Sequence, residues 1–152
     1  MKKFITLLLF LTSFTGVSQI LNPVKWEFGS QKISNTEYDL IFVAKMDHHW
    51  ALYSQFVEEG GPLPTVFSFE SSPDFDLIES VTESESNKVT QHDPVFDMVV
   101  SKYYDKAIFK QRISVKSPEF SLNGNIDFMT CDDTKCTYKP DNPFIFNYSS
   151  AV

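Results

Sequence analysis

Cysteine is scarce in this chain: two in 152 residues, Cys131 and Cys136, with none before them. Two thiols are too few to frame a disulfide-stapled mini-protein and too few for a closed four-cysteine zinc site. Basic residues are also in deficit. Thirteen Lys+Arg stand against twenty Asp+Glu, and a net charge of −7 speaks against a nucleic-acid surface. Beyond the N-terminal segment no apolar run approaches the roughly 20 residues that cross a bilayer, so the mature chain is not expected to be transmembrane. Helical periodicity sustained for more than about two turns is missing as well. What the chain does hold is aromatic: 15% of its residues, fifteen of them Phe. That is enough for a real core and excludes a wholly disordered polypeptide. The length suits one domain.

Residues 1–19, "MKKFITLLLFLTSFTGVSQ", read as a leader rather than as structure. Lys2 and Lys3 form a basic start, an apolar run follows, and Gly16 and Ser18 stand at −3 and −1 of a cleavage point, with cleavage after Gln19 a near alternative. No cysteine follows the run to take a lipid anchor. The expectation is a cleavable signal peptide at 1–19 and one exported domain at 20–152, with the periplasm as its compartment. Disulfides persist in such a place, so the two cysteines must be read as a pair.

Alternation of apolar and polar residues predicts strands through the mature chain. Val24, Trp26 and Phe28 share a face, as do Tyr38, Leu40, Phe42 and Ala44. Ala107, Phe109, Ile113 and Val115 form a third series, and Phe120, Leu122, Gly124, Ile126 and Phe128 a fourth. Phe67 with Phe69, and Phe144 with Phe146 and Tyr148, add two more, and shorter runs at 50–56, 76–81 and 96–102 add others. Turn chemistry is read at 34–37, 60–64, 71–74, 123–125 and 139–143. Seven to nine short strands fit an all-β, immunoglobulin-like antiparallel β-sandwich. Thr82–Met98 is polar and interrupted by Pro94, and is expected to be mostly a long loop. The acidic runs at 58–59 and 83–86 read as solvated faces or loops.

"FMTCDDTKC" places four polar residues between Cys131 and Cys136. A hairpin loop of that length sets the two cysteines opposite each other at a separation a disulfide tolerates. Closing so small a ring constrains the unfolded chain little, about 2 kcal/mol. A local pair at a hairpin tip is better placed for exchange than for stability, although spacing alone leaves a structural hairpin disulfide open. Asp132 and Asp133 disfavour a thiolate at Cys131, whereas Lys135 favours one at Cys136. With no His base in the motif, the oxidised pair is a better target for a partner's thiolate than the reduced pair is an attacker.

The order "PVKWEF", "WALYSQ", "GGPLPT", "FDM" and "FMTC-x4-C", spread from Pro23 to Tyr148, resembles the N-terminal periplasmic domain of the DsbD family of thiol:disulfide interchange proteins. The resemblance implies an immunoglobulin-like sandwich that passes reducing equivalents to thioredoxin-like periplasmic proteins, without a cofactor. Cys131 and Cys136 match its redox pair and Phe96 its capping aromatic. Tyr53 matches an aromatic near the site, and Asp97 follows the cap residue. One residue fewer separates the cysteines than in the best-known members, so the loop geometry must differ. The family's polypeptide continues into membrane and thioredoxin-like domains, whereas this sequence ends at Val152. The electron donor is therefore expected to be a separate membrane-embedded protein, and a monomer is expected.

Two other readings compete. One is a non-catalytic secreted binding module whose disulfide is structural. The other is a metal chaperone using both cysteines with His48, His49 or His92, against which His48 and His49 read more simply as a polar turn before Trp50.

Overall fold

The computed structural model describes residues 21–149; the leader expected at 1–19 lies outside them. Ten strands follow one another in this span: β1 (Val24–Lys32), β2 (Glu37–Met46), β3 (Ala51–Tyr53), β4 (Val66–Phe69), β5 (Phe75–Glu83), β6 (Lys88–Asp93), β7 (Met98–Tyr104), β8 (Lys106–Val115), β9 (Glu119–Cys131) and β10 (Cys136–Ser149). All pairings are antiparallel. One sheet runs β1-β2-β8-β5, and the other runs β10-β9-β3-β7-β6 with β4 also paired to β9. Among the described residues no helix is long and apolar enough to cross a membrane. The result is an all-β, immunoglobulin-like antiparallel sandwich.

The alternating series form the layer between the sheets. Leu40, Phe42 and Ala44 of β2, with Ala107, Phe109 and Ile113 of β8, meet Leu122, Ile126 and Phe128 of β9 and Phe144 of β10, all 3% exposed or less. Aromatic rings knit this layer, with Phe42 and Phe144 centroids 4.9 Å apart and edge-on. Residues one step out of phase on β9, β3 and β7 point to the opposite, outer face of the second sheet. There Tyr53, Val100 and Cys131 make a separate small cluster with Val57, Phe96, Met98 and Met129 packed against it.

Four expectations change. Thr82–Met98 is not a long loop: β5 runs to Glu83, β6 occupies Lys88–Asp93, and β6 pairs with β7 from Lys88–Tyr103 to Asp93–Met98. Because β6 is a sheet edge with mostly exposed side chains, it needs no apolar period to form. Nor is Glu83 solvated. Its side chain is 2% exposed and accepts hydrogen bonds from Ser54 Oγ, the Gln55 amide and Lys88 Nζ. Burial pushes this carboxyl up, but those donors hold it below its ordinary pKa.

Residues 139–143 make no turn. They are a bulge inside β10, where Asn142 Nδ2 donates to the Lys139 and Ile126 carbonyls. Pro140 is tolerated there because β10 is an edge strand. Finally, 123–125 is strand. Gly124 is present because β4 and Phe144 crowd it: a Cβ would lie 2.2 Å from the Ser68 carbonyl oxygen and 2.3 Å from Phe144 Cζ.

Gly124→Ala should therefore destabilise the fold by about 3 kcal/mol or more, since backbone cannot yield as a flexible side chain can. Urea unfolding measures it. A loss within about 0.5 kcal/mol would mean that β4 does not press on β9 as described.

Candidate functional site

The sulfur pair sits where β9 ends and β10 begins. Cys131 and Cys136 are register partners, their Cα atoms lie 4.0 Å apart, and a disulfide joins them. The four-residue loop between them is built by Asp132. Its Oδ1 accepts from the Thr134 and Lys135 amides at 2.8 and 2.9 Å and from Thr134 Oγ1 at 2.8 Å. These donors hold the Asp132 carboxyl below its ordinary range. The sequence assigned Asp132 only a charge effect on the thiolate; its bonds give it a loop-closing task as well. Asp133 is exposed. Lys135 Nζ lies 5.8 Å from the Trp50 ring centroid, over a side chain that is itself buried.

The two sulfurs have different surroundings. Cys131 is 6% exposed within the outer-face cluster, whereas Cys136 opens an edge strand and is exposed. The cluster is covered by the turn that joins β6 to β7, residues 94–97. Phe96, half-buried at its centre, stands edge-on to Tyr53 with ring centroids 5.9 Å apart. Asp97 leaves the turn with a φ of 53°, and its exposed carboxylate meets His92 Nε2 at 3.1 Å. Cys131, Phe96 and Tyr53 are thus brought to one place, whereas the Asp97 side chain faces outward to His92. From the other side Val57 approaches, and Gly61 lies so close to Met98 that a Cβ would be 2.7 Å from its Sδ.

Beneath the turn is a group that the sequence reading missed. Asp93 is 2% exposed, and its Oδ2 accepts from Tyr53 OH at 3.2 Å and from Lys102 Nζ at 2.9 Å. Burial raises the Asp93 carboxyl, and Lys102, the Val95 amide and Tyr53 outweigh it and leave the carboxyl below its ordinary value. Lys102 moves the opposite way: burial lowers it, but the Asp93 carboxylate carries it above its ordinary value. Burial and the neighbouring carboxylate push the Tyr53 phenol well up, so it stays a hydrogen-bond donor. One signal existed in the sequence: Lys102 falls in phase with Met98 and Val100 on β7, where a lysine needs a buried counter-charge. A cavity of about 180 Å³ opens beside the disulfide, lined by Cys131, Tyr53, Lys102, Asp93 and His49 among others.

His48 stacks edge-on against His49 in the β2–β3 connection. Among the described residues no three His, Cys, Asp or Glu side chains are grouped to hold a metal ion.

No protein-family model matches the sequence, and no curated protein does. Solved structures do match. The N-terminal periplasmic domain of ScsB from Proteus mirabilis aligns with a TM-score of 0.60 over 86% of this chain and 47% of its own, at 14% identity. The reduced N-terminal domain of DsbD from Neisseria meningitidis gives 0.47 over 80% and 83%, at 11% identity. The full-length major pilin SpaD from Corynebacterium diphtheriae gives 0.41 over 82% and 34%, at 13%. The chain spans about half the length of the ScsB structure. At this identity the ScsB likeness establishes a common fold, the sandwich the sequence anticipated. The two lower scores carry no further weight.

Since the Asp93 and Glu83 carboxyls are depressed in the folded state, their stabilisation is present above the ordinary carboxylate pKa of about 4 and is lost as pH falls through their folded values. Unfolding free energy followed from pH 6 down to 2 should therefore drop below about 4, and less steeply in Asp93→Asn. A variant slope equal to wild type would remove Asp93 from this account.

Proposed function

We propose that this chain is a thiol–disulfide exchange domain of the periplasm, with Cys131 and Cys136 as its redox pair. The observation that carries the reading is the asymmetry of the disulfide: one sulfur on an exposed strand edge, the other buried under an aromatic turn. A purely structural staple has no need of such a cover. The ScsB likeness supports the fold on which the pair would work, and thioredoxin-like proteins are the partners that the sequence resemblance to DsbD-type domains implies.

The chemistry follows from access. Exchange requires a thiolate to approach one sulfur in line with the S–S bond, and the exposed Cys136 is the sulfur that can be reached. When a dithiol donor reduces the domain, its thiolate bonds to Cys136 Sγ and the Cys131–Cys136 bond breaks. Cys131 leaves with the electron pair and takes a proton. The donor's second thiolate then attacks its own sulfur in the mixed disulfide and releases Cys136 as a thiolate. Two electrons have moved, and the donor carries the disulfide.

Delivery to an acceptor reverses the sequence. Cys136 attacks the acceptor disulfide, and Cys131 then attacks Cys136 Sγ to re-form the internal bond and free the reduced acceptor. In this reading Phe96 covers the Cys131 side of the pair, with Tyr53 packed beneath it and Asp97 on the outside of the turn. Lys135 would favour the Cys136 thiolate, and Asp133 would oppose one at Cys131. A membrane-embedded protein domain is the electron donor in this reading.

Trapping tests the assignment. Cys131→Ala leaves the attacking sulfur without its resolving partner, so it should accumulate a mixed disulfide with a thioredoxin-like protein on non-reducing gels. Cys136→Ala should accumulate none. Equal trapping by both variants would overturn the roles, and no trapping by either would favour a structural disulfide.

A further inference from the structure

We propose that the free edge of β10 at Cys136–Lys139 is the docking strip for the exchange partner, whose extended backbone beside its own reactive sulfur pairs with this edge as an added strand. The inference rests on the exchange reading of Cys131 and Cys136 and names the surface on which that partner docks.

The phase of the β9–β10 ladder decides which backbone groups face outward. The Asp132 amide donates to the Lys135 carbonyl at 3.0 Å, so these two residues form a hydrogen-bonded pair. Antiparallel pairs alternate. The next pair, Cys131 with Cys136, is therefore a narrow one without ladder bonds, and its Cα separation of 4.0 Å agrees. It follows that Thr137 turns its N–H and C=O toward β9, whereas Cys136 and Tyr138 turn theirs away from it. β10 is the edge of its sheet, and among the described residues no strand or loop backbone bonds to those outward groups.

The chemistry brings a partner to this strip. For a partner's sulfur to bond to Cys136 Sγ, the chain that carries it must run alongside Cys136, and its docking removes water from the edge. Backbone N–H and C=O groups left unpaired there would oppose docking. An extended segment satisfies them by strand addition, with main-chain bonds that do not depend on its side chains. Tyr138, 43% exposed and on the same face as Cys136, offers that segment a ring to pack against. The strip is also short. The next outward residue is Pro140, which has no N–H, and its carbonyl accepts from Asn142 Nδ2 at 3.4 Å. A strand can add over Cys136 and Tyr138 and no further, which suits one loop of a partner and not an extending sheet. Lys135 and Lys139 flank the strip, so antiparallel pairing with a second copy of the same edge would set lysine against lysine.

The test joins the Cys131→Ala chain, as a mixed disulfide through Cys136, to a thioredoxin whose resolving cysteine is replaced by Ala, and reads amide hydrogen exchange residue by residue. The Cys136 and Tyr138 amides should exchange freely in the unjoined chain and about tenfold slower or more in the mixed disulfide, while Thr137, bonded to β9, is protected in both. Unchanged exchange at Cys136 and Tyr138 overturns the proposal. Protection in the unjoined chain that rises with its concentration places a second copy on the edge and overturns it too. A kinetic arm follows reduction of the intact disulfide. Tyr138→Pro removes an outward N–H and leaves the β9 ladder whole. Reduction by thioredoxin should then slow about tenfold, while reduction by dithiothreitol stays within about twofold of wild type. Tyr138→Ala keeps the N–H and should lose clearly less. Equal losses in the two variants assign the effect to the ring, and slowing by both reductants, or by neither, shows that the edge does not pair; each overturns the proposal. Should Tyr138→Pro fail to fold, the exchange measurement, made on an unaltered edge, decides alone. If no mixed disulfide forms, the exchange reading fails and the strip falls with it. If one forms without protecting the edge, that reading stands and the strip alone is wrong.

Discussion

β9 and β10 pair from Glu119–Ser149 to Cys131–Cys136, with the register stepping by one residue at a bulge between Lys139 and Asn142, and the opposition of the two sulfurs is the far end of that ladder. The register is set by the core. Leu122, Ile126 and Phe128 point between the sheets, and a slip of one residue would turn all of them outward. Gly124 fixes it further by allowing β4 and Phe144 to close on β9. With the inner residues committed, Met129 and Cys131 have no choice but the outer face. A bulge at Lys139–Asn142 absorbs the irregular stretch of β10 without disturbing either end. The disulfide is therefore positioned by the whole sandwich and adds little to it.

An outer sheet face is ordinarily wet, and a sulfur placed there must be covered if it is to be selective. The chain builds the cover from an edge hairpin, β6–β7, whose exposed side chains contribute little to the inter-sheet core. That hairpin is pinned at its base by Lys88 on the buried Glu83, and at its tip by Lys102 on the buried Asp93. Buried ion pairs are poor sources of net stability, but they are specific about geometry, because neither member has another place to go. Two of them on one short hairpin are better understood as holding the hairpin in position than as strengthening the fold.

Sequence alone revealed what burial on one face enforces. The series on β2, β8 and β9 were legible because each alternates between core and surface, and the cysteine pair was legible because four residues between cysteines is hairpin spacing. Sequence was silent where structure depends on an edge or on a distant contact. β6 has no apolar period because most of its side chains are exposed. The tract at 139–143 has the composition of a turn, yet an edge strand tolerates its proline as a bulge. Glu83 looked like one acidic residue among several until Ser54, Gln55 and Lys88 converged on it. Asp93 and Lys102 are nine residues apart; the β6–β7 register sets them opposite Met98 and Val89, and the long lysine side chain has to reach along the hairpin to make the contact. The resemblance to DsbD-type domains pointed to Phe96 and Tyr53, but not to the carboxylate that joins them.

The central claim is that Cys131–Cys136 is an exchanging disulfide and not a staple. Its reduction potential tests this most directly, measured by equilibrating the folded chain against glutathione or dithiothreitol buffers of known poise. The account predicts a value above about −300 mV, within reach of dithiol partners. A value well below that, where structural disulfides of exported proteins lie, would contradict it.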